Sequence, residues 1–259
     1  MTRNFIFIFC NIFSLALLCT WSRAELTGRE LLDKAQDRTA AAPQIRRVDT
    51  SEMAVIGADG QKMAAQKNVV TIEIDLAKHL ARQTSSAFGQ ELVMIKKGDK
   101  AAMKLGSGPW QLPAGQYEQI AKDMGNLFVC EIETPEDKSN APDWKITGRE
   151  TIDGREMTII ESAGDSAIPL AQMRVTKSIA KMMADPAQRP TVKVLHYSAK
   201  HWIDQADFSH RRAIQKSRLQ LTMPGGKVQM IQDMTARSEY SYEKFEIEIP
   251  PEAREILER

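Results

Sequence analysis

Cysteine is scarce in this chain. There are 3 cysteines in 259 residues, and Cys10 and Cys19 both lie near the amino terminus. With that segment removed, only Cys130 remains, and one thiol closes no internal disulfide. The fold must then be held by its core alone. Cys130 follows Leu127-Phe128-Val129 with no base beside it, and reads as a buried, inert thiol. Excess charge of either sign is also missing. Lys and Arg number 35 against 34 Asp and Glu, for a net charge of +1. That balance gives no electrostatic footing for a nucleic-acid partner. Catalytic fingerprints are missing too: there is no Walker loop, dinucleotide fingerprint or Gly-x-Ser-x-Gly elbow. Gly164-Asp165-Ser166-Ala167-Ile168 comes nearest to an elbow, but Ile168 replaces the second glycine and the segment follows a hairpin strand. Pro224-Gly225-Gly226-Lys227 joins two strands, so it is a turn and not a phosphate cradle. No cofactor is expected.

Only one long apolar run occurs, from Phe5 to Leu18, behind Arg3. Ser22-Arg23-Ala24 supplies small residues at the positions signal peptidase needs. Residues 1–24 read as a secretory leader cut after Ala24, which places the mature chain in the periplasm. Residues 25–259 read as one domain.

In the remainder, the dominant pattern is short alternating segments with few helices. Thr27 is an N-cap for a helix carrying Leu31, Leu32 and Ala35, ending before Pro43. IRRVDTSEMAVIG and NVVTIEIDLAKHL flank Asp59-Gly60, and Asp-Gly is a hairpin signal. Val70, Ile72, Ile74 and Leu76 alternate with Thr71, Glu73 and Asp75. ELVMIKK and AAMKL flank Gly98-Asp99, and GQYEQIAKDMGNL reads as a helix. Thr134 to Asp143 is a polar loop. Strands surround Asp153-Gly154, and Ile168 to Pro186 reads as an amphipathic helix. TVKVLHYSA, RAIQKSRLQLTM, KVQMIQDMTARSEYS and a last strand YEKFEIEI follow. Pro251 then opens a terminal helix. The expected class is α+β: a strongly curved antiparallel sheet, a half-open β-barrel, covered by a few helices.

HWIDQADFSHRR, His201 to Arg212, concentrates the residues that could do chemistry. With His196 it offers His201, Asp204, Asp207 and His210, the set a secreted hydrolase or metal-dependent enzyme would use. The spacing matches no motif of defined mechanics. The alternative is a bend between two strands, anchored by Trp202 and Phe208, with the histidines, aspartates and arginines on its solvated side. In that reading, no catalytic or metal-binding residue is assigned.

Thirteen methionines stand against 6% aromatic residues. Met94, Met103, Met157, Met173, Met182, Met183, Met223, Met230 and Met234 all fall in expected strands or covering helices. Methionine is unbranched and polarizable, and suits a cavity for flexible apolar ligands as well as it suits a core.

Four segments carry a resemblance. They are GSGPW (Gly106 to Trp110), ITGRETIDGREMTIIE (Ile146 to Glu161), HWIDQADFSHRRAIQ, and SYEKFEIEIPPEAREIL (Ser241 to Leu257). Together with the layout, these are similar to the outer-membrane lipoprotein-sorting carriers, the LolA/LolB-like and LppX-like periplasmic lipid-binding proteins. The resemblance implies a half-open barrel with an apolar cavity for lipid or lipoprotein acyl chains. It also implies a role in envelope trafficking, with release through a membrane partner or a lid. Residues 168–186 depart from the compact members, in the place for a lid. If the apolar strand faces point inward, the lining is Val70, Ile72, Ile74, Met157, Ile159, Val192, Val194, Leu219, Leu221, Met230, Phe245 and Ile247. A non-catalytic envelope protein that binds a protein partner through its sheet edges is a third reading.

Overall fold

The computed structural model describes residues 26–87, 90–124, 143–165, 167–169, 171–173, 175–176, 185–226 and 229–259. The expected leader, Cys130, most of the expected 134–143 loop, Met182 and Met183 lie outside them. The chain opens with α1 (Gly28–Ala40). Five strands follow: β1 (Gln44–Gly57), β2 (Lys62–Asp75), β3 (Leu80–Ala87), β4 (Gln90–Lys97) and β5 (Lys100–Leu105). After α2 (Gln116–Asp123) come β6 (Lys145–Ile152) and β7 (Arg155–Ala163). The described residues between 168 and 176 are helical. Then come β8 (Thr191–Asp204), β9 (His210–Thr222), β10 (Gln229–Ser241) and α3 (Pro251–Glu258).

All ten strands join one open, curved sheet in the order β5-β4-β3-β2-β1-β10-β9-β8-β7-β6. Neighbours pair antiparallel throughout. The first and last strands therefore meet at the centre, and β5 and β6 form the edges. Among the described residues, no helix is long and apolar enough to cross a membrane.

The register defines two faces, because directly opposed residues point the same way. On face one, Ile72 pairs with Arg47 and Gln83, and Gln83 with Met94, which pairs with Met103. Further along the same face, Ser238 pairs with Ala213, Ala213 with His201, and His201 with Ile160. Two separate cores form here. Leu31, Leu32 and Ala35 of α1 pack on Ile160, Val194, Ala199 and Ile203. Ala121 and Met124, in and just after α2, pack on Ile72, Ile74, Met94 and Met103. On face two, α3 places Ala253 and Leu257 on Leu80, Ile95 and Ala102, while Met157, Ile159 and Trp202 form a smaller cluster.

The start of α1 is fixed by its own sequence. Thr27 and Glu30 make a capping box, with the Glu30 N–H donating to Thr27 Oγ1 at 3.2 Å and the Thr27 N–H to Glu30 Oε2 at 2.8 Å. Gly28 then lies against β6: a Cβ there would stand 2.4 Å from the Trp144 carbonyl oxygen. Backbone cannot retreat as a side chain can. Alanine favours a helix over glycine by up to about 1 kcal/mol, and overpacking costs about 1–3 kcal/mol. Gly28→Ala should therefore be net destabilising, seen as a lower urea midpoint. An unchanged or raised midpoint would show that α1 can shift away from Trp144.

The last expected strand, YEKFEIEI, does not form. Residues 242–250 run outside any ladder. The neighbours of β10 end here, β1 starting at Gln44 and β9 at His210, so its continuation has no strand to pair with. One side chain substitutes for a ladder: the Phe245 N–H donates to Gln44 Oε1 at 3.3 Å and Gln44 Nε2 donates to the Phe245 carbonyl at 3.2 Å. The alternating apolar residues still find a surface, as Phe245, Ile247 and Ile249 pack with α3 on face two. Leu76, placed in the β2 pattern, falls one residue beyond that strand and is exposed.

Candidate functional site

The histidine stretch is a bend between β8 and β9, as one of the two sequence readings expects. The bend is not solvated in the way that reading requires. Asp204 is 1% exposed and His210 6% exposed. His201 and His210 meet, with Nδ1 of the first 2.8 Å from Nε2 of the second. The rings continue into a ladder. Trp144 stands edge-on to His201 at 5.0 Å, and His210 stacks on Tyr240 at 5.2 Å. The correction has a structural cause. Arg211 is an extra residue on β9 between the Trp202–Arg212 and Ile203–His210 pairs, and this bulge turns His210 to face one beside Ile203, which packs with α1. Trp202 anchors the other face, and its indole N–H donates to Glu150 Oε2 at 2.7 Å.

The acids of the stretch are committed to arginines. Asp204 Oδ2 accepts from Arg155 at 2.5 Å, with Arg211 at 3.6 Å, while Oδ1 accepts the Ala206 N–H at 2.9 Å. His196 lies away from them. It borders a cleft of about 760 Å³ on face two, with Lys216, Arg218 and Asp233. The five residues of the hydrolase reading are thus divided. Among the described residues, no three His, Cys, Asp or Glu side chains are grouped as metal ligands.

Asp207 sets an acid limit on the bend. Burial pushes its carboxyl up, but hydrogen bonds from Ser209 and the charges of Arg211 and Arg155 outweigh this and hold it below the usual value of 3.8. Asp75 is lowered in the same way, its burial outweighed by Gln44 and Lys78. A carboxyl depressed in the folded state stabilises above its unfolded pKa of about 3.9, and the contribution is lost as pH falls through the folded value. Asp207→Asn should therefore flatten the loss of stability below about pH 4. Urea midpoints measured across pH would show it, and an unaltered acid limb would contradict it.

The expected apolar lining also divides. Val70, Ile72, Ile74, Val192, Val194, Leu219, Leu221 and Met230 lie on face one by register. Met157 and Ile159 lie on face two beneath Trp202, and Phe245 and Ile247 on face two beneath α3. Ile160, not Ile159, is the β7 residue that faces α1. The TIIE run is apolar on both faces, so alternation could not choose between them.

Between the two face-one cores runs a strip on β1 and β10. Met53 pairs with Met234, Val55 with Gln232, and Ser51 with Ala236. Met53, Val55, Met230 and Met234 are only partly buried and belong to neither core cluster. Face two of these strands and their neighbours β2 and β9 carries Glu52, Lys67, Lys216, Arg218 and Asp233, with ion pairs between Lys67 and Glu52 (3.7 Å) and Arg218 and Asp233 (3.5 Å). The centre of the sheet thus has one charged face and one uncharged face, carrying these apolar side chains and left incompletely covered by α1 and α2. Sequence reasoning missed Met53, because β1 shows no clear alternation.

No family model matches the chain, and no curated protein matches it in sequence. Solved structures do. The chain is similar to LppX. That Mycobacterium tuberculosis lipoprotein shares 15% identity over 84% of this chain and 96% of its own, with a TM-score of 0.42. LprF from Mycobacterium bovis shares 11% over 87% of this chain and 97% of its own, with a TM-score of 0.46. A LolA superfamily protein from Nitrosomonas europaea shares 10% over 87% and 96%, with a TM-score of 0.28.

Proposed function

We propose that this chain is an exported, non-catalytic carrier that holds a lipid or acylated ligand on face one. The mature protein would be residues 25–259, a single unit freed in the periplasm by cleavage after Ala24. The partly buried strip of Met53, Val55, Met230 and Met234 between two helix-covered cores carries the reading. Apolar surface is stabilised by removal from water at about 25 cal/mol per Å². An acyl chain laid along the strip gains about 0.8 kcal/mol per buried CH₂, so even part of one chain gives useful affinity. Methionines tolerate chains of varied length because their side chains re-pack at low cost. Release would need a lid movement or a membrane-bound partner, since unassisted exit forfeits the same energy. Native mass spectrometry of protein purified from its host envelope tests the reading. A lipid adduct that organic extraction removes is expected. A lipid-free protein that also takes up no fluorescent fatty acid would refute it.

One observation keeps the hydrolase reading alive, namely that His201 and His210 touch. Metal analysis of the purified protein, with His201→Ala/His210→Ala as control, separates the two. Bound metal that the double variant loses would favour the enzyme.

A further inference from the structure

Followed along the strands, face one changes polarity. Near the β1–β2 and β9–β10 hairpins Met53, Val55, Met230, Met234, Leu219 and Leu221 predominate, with Gln66 and Gln232 among them. About two residues further toward α1 and α2 it becomes more polar. Ser51 lies opposite Asn68 and Ala236, and Asp49 opposite Val70 and Ser238. Gln83 of β3 lies beside Ile72. The charged side chains on this stretch of face one in β1, β2, β9 and β10 are Arg47 and Asp49, which pair with each other at 2.9 Å. The floor is therefore polar but electrically balanced.

Two carbonyl oxygens on that floor have no partner. Asn68 Oδ1 and Gln83 Oε1 are both buried and accept no hydrogen bond, and Ser217 Oγ across the strip is also unpartnered. A buried acceptor left unsatisfied is unfavourable, and such groups ordinarily find a donor. We infer that the carrier's ligand is an amphiphile whose uncharged polar part donates hydrogen bonds, through hydroxyl or amide groups. That part is seated along the stretch between Asn68 and Gln83, which stand four residues apart along neighbouring strands, with the acyl chain running outward over Met53 and Met234. The inference rests on the proposed carrier function and adds to it the class and the orientation of the ligand. A carboxylate or phosphate head would bring net charge to a balanced floor and would present acceptors to acceptors. A bare hydrocarbon would leave both oxygens unsatisfied.

Three probes with the same fluorescent acyl chain decide it: a monoacylglycerol, its bis-methyl ether, and the free fatty acid. The diol should bind the full-length mature protein about tenfold more tightly than the ether, the size of effect that one buried acceptor left unpaired produces. Asn68→Leu/Gln83→Leu should remove that preference while the ether binds as before. Equal binding of diol and ether by the wild-type protein would overturn the inference and leave the carrier reading intact. Preference for the fatty-acid anion would overturn it likewise. Binding of none of the three would count against the carrier itself, and the inference would fall with it. If the double variant proves unstable, Asn68→Ser, which keeps a polar group, should retain part of the preference. A full preference in both variants would place the polar head elsewhere.

Discussion

Asp204→Ala is expected to cost about 3 kcal/mol of stability, toward the low end of what breaking a buried ion pair costs. The carboxylate is 1% exposed and anchors the β8–β9 bend through both oxygens. Its backbone closes the same turn, with the Asp204 N–H donating to the Ser209 carbonyl at 2.9 Å and the Phe208 N–H to the Asp204 carbonyl at 2.9 Å. Phe208 sits at φ 57°, a left-handed conformation unfavourable for a bulky residue, so the turn has to be held from outside itself. Removing the carboxylate leaves the Ala206 N–H without its acceptor and Arg155 and Arg211 with the half-buried Asp207 to share. Arg155 reaches solvent and can rehydrate, which keeps the cost from the top of the range. For a chain of this length, about 3 kcal/mol lowers the melting temperature by roughly 6–12 °C. Asp204→Asn keeps the oxygen that holds Ala206 and should lose less. A melting temperature unchanged in the alanine variant would mean that the bend is held by its packing alone.

The second large effect concerns binding. Met234→Lys should abolish lipid uptake, with a loss of at least about 100-fold, while leaving the fold in place. Met234 is only partly buried and lies opposite Met53 and Ser217. In the free protein, the lysine ammonium can reach water. Under a bound acyl chain it cannot, and desolvating an unpaired charge costs several kcal/mol, more than a few buried methylenes return. The face-two neighbour is the control. Thr235→Lys adds the same charge one residue away on the opposite face and should leave uptake unchanged. Fluorescent fatty-acid titration reads both, and circular dichroism confirms the fold. Equal loss in the two variants would mean that the effect is general and not confined to face one.

The legible part of this protein was its hairpins. Asp59-Gly60, Gly98-Asp99, Asp153-Gly154 and Pro224-Gly225-Gly226 each join consecutive strands, because these turns need residues that accept positive φ. The capped start of α1 was equally local. What could not be read depends on neighbours distant in sequence. YEKFEIEI alternates as a strand should, yet β1 and β9 both end where it begins, so it has nothing to pair with. Which of Ile159 and Ile160 faces α1 is set by pairing with β8, not by their own pattern. The bulge that turns His210 inward leaves no mark in HWIDQADFSHRR, so the two histidines could be suspected of meeting but not shown to. The site was half legible for the same reason. Alternation found the apolar strand faces, but the gap between α1 and α2 depends on where those helices land.

The central claim is that the ligand lies on face one of β1 and β10. A fatty acid with a photoreactive diazirine in its acyl chain tests it most directly, with the cross-linked peptides mapped by mass spectrometry. The account predicts adducts on Met53, Met230 and Met234, suppressed by excess unlabelled lipid. Adducts confined to the charged face of the same strands, at Glu52, Lys216 or Asp233, would contradict it.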